Sequence, residues 1–551
     1  MKKDISEIIK TALKAAHAAG ELKTQESALP AFTVDQSKKE EFGDFSTNVA
    51  MLLTKHEGKP PRDIAALISK RISEDENVER TEVAGPGFIN IFLDSAYWVR
   101  LLGRILSSGA EYGSSTVGKG KRVQVEFVSA NPTGPLHIGH GRGAAVGDAL
   151  ARVLKAAGYE VTKEFYINDA GRQVFNLGES IQLRMQELQG KKIELGENHY
   201  KGDYIIDIAK DYIEALKKGG GGAVPTATEF GISAMIKWIE EDLKEFGIEF
   251  DEWFSEGSLD DEGLVTKTIE ELKSKELVYE KDGATWFRTE KFGDDKDRVL
   301  IKADGERTYF ASDIAYHRDK MARGFDTLVN VWGADHHGYE ARVRALFRAL
   351  GLDDSALKVI FIQLVALLRG GVPVAMGKRS GEFVTLRHVI DEVGSDACRF
   401  FFLMRKSDAQ LDFDLELAKS QASENPVYYV QYCNARVLSI FAHAKEKGVK
   451  IPEDSELAGL ADKFGAEEIR LIRHLGRFEE VIERSAKEME PHRVTFYLME
   501  LAGLFHPYYN RNRVVTNDPG TTKARLLLFK AVGTVASNGL KLLGVSTPEK
   551  M

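Results

Sequence analysis

The sequence predicts an α/β protein: a parallel-sheet core carrying helical insertions, a small α+β module before it and an all-α bundle after it. Three observations carry this reading. A strand at 123–128, a Gly- and Pro-rich loop at 131–143, a small-residue helix ending near Gly158 and a strand at 161–167 follow one another directly. That βαβ succession builds a parallel sheet of the Rossmann type. Residues 327–332 and 359–362 are short apolar runs of the sort buried on both faces of such a sheet. From Asn425 onward the spacing of apolar residues is helical almost without a break.

The remaining elements fall around that frame. Residues 1–115 open with a helical stripe (Ile5, Ile8, Ile9, Ala12, Leu13, Ala16) and close on a turn into a strand at 88–93. The parallel-sheet domain occupies 116–390, and a polar, mostly helical stretch at 188–256 is expected as an insertion, with Gly219–Gly222 as a flexible link. Asp282-Gly283 and Asp304-Gly305 mark hairpin turns within 279–287 and 299–309. A connecting segment at 391–424 leads to the C-terminal bundle, 425–551.

Composition limits the class. Hydrophobic content of 43% and charged content of 29% describe an ordinary globular protein. Two isolated cysteines, Cys398 and Cys433, exclude a disulfide framework and a cysteine-held structural zinc, and suit a reducing cytoplasm. No secretory signal is expected, and no window is seen with the roughly 20 apolar residues a membrane span needs. The net charge of −9 is uneven, since residues 425–551 hold 18 Lys and Arg against 15 Asp and Glu. Surface variation explains a swing of that size as well as a nucleic-acid partner does.

Three motifs point to phosphate chemistry. His137-Ile138-Gly139-His140 lies between a strand and a helix start, where free N–H groups and the helix dipole favour phosphate. The two histidines can donate hydrogen bonds to oxygens that gain charge in a displacement, and Gly139 leaves room for a flat base. Met376-Gly377-Lys378-Arg379, flanked by glycines, suits closure over a triphosphate; alone it reads more often as a solvated basic turn. Gly333, Asp335 and His336 follow a parallel strand, where Asp335 either meets ribose hydroxyls or caps the next helix.

Together these motifs, in this order, resemble the class I aminoacyl-tRNA synthetase signatures. The segments 126–140, 166–173, 308–313, 425–432 and 543–551 are similar to the arginyl-tRNA synthetase family in particular, and they span nearly the whole chain. The resemblance implies ATP-dependent activation of L-arginine and transfer to tRNA(Arg), with Mg²⁺ accompanying ATP and no covalent nucleophile. His137, His140 and Lys378 would be catalytic, and Gly139, Gly333, Asp335, His336, Met376 and Arg379 would bind ATP. Arginine would lie against Glu126, Asn131, His137, Tyr309, Asp313 and His337.

Glu126, in a strand expected to be buried, must meet a cation, either the substrate or a Lys or Arg from a neighbouring helix. Tyr309 and Asp313 are four apart and share a helix face, and a carboxylate accepts a guanidinium fork bidentately. The family's first signature lysine is replaced here by Ala375. The resemblance also implies an N-terminal domain at the outer corner of the tRNA and an anticodon-binding C-terminal domain. Gln431, Tyr432, Arg436, Tyr508, Tyr509, Asn510, Arg513 and Met551 are its expected tRNA contacts, although the aromatics among them suit a bundle core as well. A monomer is expected. A nucleotidylyltransferase shares the histidine motif but needs no long helical module, and a non-catalytic relative would have lost the active-site set.

Overall fold

The computed structural model describes residues 1–37, 39–218, 225–374 and 384–551. The glycine run at 219–222 and the basic loop with Ala375, Met376, Lys378 and Arg379 lie outside the described residues.

The opening helix, Lys2–Ala18, buries the six apolar residues of its sequence stripe. It packs beside helices Val49–Glu57 and Pro61–Ile72 and an antiparallel sheet ordered Val34–Gln36, Phe45–Thr47, Phe88–Leu93, Val78–Ala84. Helix Ser95–Ser108 then carries the chain to the bundle. There the Asn538 amide donates to the carbonyls of Gly109 and Tyr112 at 2.9 and 3.0 Å.

Five parallel strands form the central sheet: β1 (Arg122–Glu126), β2 (Glu160–Ile167), β3 (Glu252–Ser255), β4 (Thr327–Gly333) and β5 (Leu357–Ile362). Their order is β5-β4-β1-β2-β3. The chain runs outward from β1 to β3, then returns to the other side of β1 for β4 and β5. A crevice therefore opens at the C-terminal ends of β1 and β4, the switch point where ligands bind in open α/β sheets. β1 ends two residues earlier than the apolar run suggests, because Val128 and Ser129 have φ of 67° and 41°. A β-branched residue in that region is strained, and such strain collects at functional loops.

Helix α1 (Ile138–Ala156) follows β1. Helices α2 (Arg172–Leu188), α3 (Asp203–Lys218) and α4 (Ala227–Glu245) pack around a core of their own, with Leu177, Ile181, Ile205, Ile208 and Met235. Edge strand β3 falls inside the stretch expected as insertion, being only four residues long. A hairpin of Val278–Lys281 and Ala284–Phe287 turns at Asp282 and Gly283, both at positive φ. The second expected hairpin is reduced to strand Arg298–Ile301 and one bridge, Ile301 to Arg307, before α5 (Tyr309–Ala322) begins. Helix α6 (His337–Leu350) joins β4 to β5.

The C-terminal module is helical as expected, with α7 (Pro426–Glu446), α8 (His492–Arg511) and α9 (Pro519–Leu543) as its longest members. By length and composition α9 could cross a membrane, which corrects the expectation that no window reaches that mark; most of it is buried in the fold. One buried charge ties the modules together. Asp148 on α1, fully buried, meets Arg152, Lys163 and Arg399. The fully buried Arg399 also donates to the carbonyls of Leu543, at the end of α9, and Phe246, just past α4.

Candidate active site

The two signature histidines form the N-cap of α1. The His137 ring accepts the Gly139 N–H at Nδ1 (3.1 Å), and the His140 ring accepts the His137 N–H at Nδ1 (3.3 Å). The two rings stack at 3.6 Å. An Nδ1 that accepts fixes the neutral tautomer with its proton on Nε2. Burial lowers the basicity of both rings, to about 3 for His140, although part of the His137 ring faces solvent. Two neutral donors therefore stand at the positive end of a helix. Gly139 has a more local reason than room for a base: a Cβ there would come within 3.1 Å of the His137 Nδ1.

The flanks of the basic loop are anchored beside this cap. Val374 N–H donates to the Leu367 carbonyl at 2.8 Å, and Leu386 N–H to the Leu136 carbonyl at 2.7 Å, with His137 and Thr385 bridged. From α1, the fully buried Arg142 donates to the carbonyls of Gln363, Lys406 and Ala409 at 2.8–2.9 Å. The histidine helix is thus bonded to the segment from which the loop departs.

A cluster of acids gathers where β1, β2 and β3 end against α5. Glu126 ends β1, Asp169 follows β2, Glu256 follows β3 and Asp313 lies on α5. Burial and the charges of Glu256 and Glu126 push Asp313 up to about 7, against the pull of Arg342 and Lys320. Burial pushes Glu256 up to about 7 as well; the hydroxyls of Ser312 and Tyr166 oppose this, and Asp169 and Asp260 add to it. The ring of Tyr309, 55% exposed, lies beside Gly171, and the Asn131 amide donates to Gln173 Oε1 at 2.6 Å. Glu126 meets a cation, as its burial demands, and that cation is the Lys320 ammonium from α5. Its other oxygen accepts the Ser129 hydroxyl at 3.1 Å.

The sequence reading missed Glu256, because four-residue β3 was hidden in a stretch read as helical. It also missed Lys320, which no motif marks. No local pattern marks either: Glu256 stands in Ser255-Glu256-Gly257-Ser258 and Lys320 in Arg318-Asp319-Lys320-Met321.

Other expected residues are more scattered. Asp335 does not cap α6; its carboxylate meets the His336 ring at 3.1 Å, and a Cβ on Gly333 would collide with it at 2.6 Å. The His337 ring stacks on Phe361 at 3.7 Å and faces a cleft of about 540 Å³ shared with Lys358, Lys406 and His492.

In the C-terminal module, Arg436 lies over the rings of Tyr432 and Tyr509, each at 4.6 Å, and reaches Asn510 at 3.4 Å. Arg513 and Met551 are exposed. Tyr508 and Gln431 instead face inward. Tyr508 is buried with its hydroxyl on Glu468 at 2.5 Å, and the Gln431 amide donates to Asp396 and the Ser546 carbonyl. The helical repeat of α8 turns Phe505 and Tyr508 to the core, which corrects the expectation that Tyr508 meets tRNA.

A nucleotide-type crevice with a histidine-capped helix, a cluster of acids at the strand ends and a helical bundle behind belongs to a class I aminoacyl-tRNA synthetase. The comparisons narrow the class. Residues 102–409 match the family model of class I tRNA synthetase catalytic domains of the arginine type, 3–93 the arginyl tRNA synthetase N-terminal domain, and 430–551 the DALR anticodon-binding domain. The chain is 52% identical to the arginine–tRNA ligase of a Geobacter species over the full length of both chains. It is 51% identical to that of Syntrophotalea carbinolica, again over the full length of both. The solved Thermus thermophilus arginyl-tRNA synthetase covers 100% of both chains with a TM-score of 0.76 at 23% identity, a likeness of fold. The chain belongs to the arginyl-tRNA synthetase family.

Proposed function

We propose that the acidic cluster and the histidine cap are the two halves of one adenylation site. The enzyme is an arginine–tRNA ligase. It joins L-arginine and ATP into arginyl-adenylate with release of pyrophosphate, then passes the arginyl group to the terminal ribose of tRNA(Arg) with release of AMP. In the first step an arginine carboxylate oxygen bonds to the α-phosphorus as the bond to the β-phosphate bridging oxygen breaks. In the second, a ribose hydroxyl attacks the activated carbonyl and AMP departs.

The observation that carries the assignment of residues is the surplus of carboxylates. Three acids packed together, two of them pushed up to about 7, form an expensive arrangement in the free enzyme. A substrate with a cation at each end relieves it. Asp313, with Glu256 beside it and Tyr309 one turn before it on α5, would take the guanidinium; Glu126 and Asn131 would take the α-amino end. The neutral Nε2–H groups of His137 and His140 would donate to phosphate oxygens as charge builds on them. Gly333, Asp335 and His336 would hold the nucleoside, and Lys378, Met376 and Arg379 would meet the triphosphate. His337 is better placed toward the cleft behind β5 than toward the acids.

Among the described residues no group of three His, Cys, Asp or Glu side chains is arranged to hold a metal. Mg²⁺ would accompany ATP on its phosphates, as this ion commonly does. The Tyr432–Arg436–Tyr509–Asn510 cluster, with Arg513 and Met551, offers stacking faces and charge to the tRNA. A monomer is the expected unit, and two buried free cysteines support a reducing compartment such as the cytoplasm.

The test is ATP–pyrophosphate exchange with each amino acid, with and without total tRNA. Arginine-dependent exchange is expected, and its absence in the presence of tRNA would overturn the assignment.

A further inference from the structure

Lysine buried without exposure is rare unless its charge is met, and Lys320 is fully buried. Its ammonium holds Glu126, donates to Asn330 Oδ1 at 3.1 Å, and lies 4.2 Å from the centre of the Tyr316 ring. A second chain of bonds runs from the same asparagine. The Asn330 amide donates to His317 Nε2 at 2.8 Å, and the His317 Nδ1–H donates to the Asp313 carbonyl at 2.8 Å. The neutral tautomer this requires is secured by burial and the nearby Lys320, which push His317 down to about 3.

These residues stand on one face of α5. Asp313, Tyr316, His317 and Lys320 are spaced three, four and seven apart, so they form a single stripe. Seven residues of helix span roughly 10 Å, and helical side chains lean back toward the N-terminus. Lys320 therefore reaches back under the turn of Asp313. Glu126 comes from a different element, β1, and Lys320 pins it to the helix that carries Asp313. The Ser129 hydroxyl holds its other oxygen within the strained turn after β1.

Two acids that read opposite ends of one substrate are thus fixed on a common ruler. We infer that Lys320 is a positioning residue for arginine specificity: by fastening Glu126 to α5, it sets the distance to Asp313 and so selects side-chain length. The inference rests on the assignment of those two carboxylates to the two ends of arginine.

Length discrimination is the readout that a merely structural lysine would not move. The measurement is kcat/KM in tRNA-supported pyrophosphate exchange for L-arginine, L-homoarginine (one methylene longer) and 2-amino-4-guanidinobutanoate (one shorter). Lys320→Arg keeps the charge and changes the reach. The double variant Glu126→Gln with Lys320→Met removes both charges, which avoids leaving one buried without a partner. Wild-type enzyme should prefer arginine over each homologue, and either variant should reduce that preference by roughly tenfold, the scale of one methylene in a fitted pocket. Equal losses on all three substrates, with the preference unchanged, would overturn the inference. So would failure of both variants to fold, which would make the pair a structural one only. Absence of arginine exchange in the wild type would instead overturn the functional assignment.

Discussion

The two ends of the crevice solve opposite electrostatic problems. At the histidine end, both Nδ1 atoms are satisfied before substrate arrives: His137 and His140 accept backbone N–H groups and stay neutral. At the acid end, Glu256 and Asp313 are crowded until protons or a cation relieve them. One end is preorganised and costs nothing to keep ready. The other stores repulsion that a dicationic substrate releases. Specificity accordingly resides where the free enzyme is least comfortable, and phosphate chemistry where it is most settled.

The sharpest way to break this contrast is Asp313→Asn. A neutral amide removes the repulsion and the bidentate acceptor together, so kcat/KM for arginine in pyrophosphate exchange should fall by about a thousandfold, while melting temperature holds or rises. A variant that melts earlier and still activates arginine would end the idea of stored repulsion.

At the other end, His137→Asn keeps an oxygen able to accept the Gly139 N–H but loses the Nε2–H. We expect about a hundredfold loss in kcat with stability nearly unchanged. His137→Ala should lose the same activity and, in addition, about 1 kcal/mol of stability with the cap. Full activity in His137→Asn would show that the histidine serves only as a cap.

The pH dependence separates the two ends without mutation. Carboxylates raised to about 7 bind more protons in the folded than in the unfolded chain between about pH 4 and 7, so the free enzyme should lose stability as pH rises through that window. Arginine binds the ionised pair, so its KM should fall by between about tenfold and a hundredfold per pH unit below 7, as one or both protons must leave, and level off above. The histidine end should add no titration near 6.5, because His140 is held at about 3. A kcat profile bending at an ordinary imidazole value would contradict the neutral cap.

The smallest effect sharpens the acid end itself. Glu256→Gln removes the largest charge acting on Asp313, so the midpoint of the arginine KM profile should move below 7. Calorimetric titration in two buffers of different ionisation heat would count the protons released; an unmoved midpoint would assign the shift to burial alone.

Much of this was readable in the sequence. The apolar runs of β4 and β5, the strand–loop–helix around His137 and the stripe of the first helix are local patterns, and they folded as read. Asp313 and Tyr309 were also legible, since a helix brings positions four apart together wherever it lies. Glu256 and Lys320 were not. Their meaning depends on which strand lies beside β2 and which helix crosses β1, pairings that no spacing in the chain encodes. The inward turn of Tyr508 is of the same kind, because aromatics on a helix do not announce whether their face is core or surface until the partner helices are placed.

The bond from Arg399 to the last turn of α9 bears on how the molecule comes apart. Its guanidinium is shared between Asp148 on the histidine helix and a carbonyl at the end of the bundle. Removing the C-terminal helix would leave Arg399 paired with Asp148 and the Phe246 carbonyl, but would strip one buried hydrogen bond from its guanidinium. Heat or protease that loosens the bundle's final turn should therefore be felt, through Arg399 and Asp148, at the helix that carries the histidines.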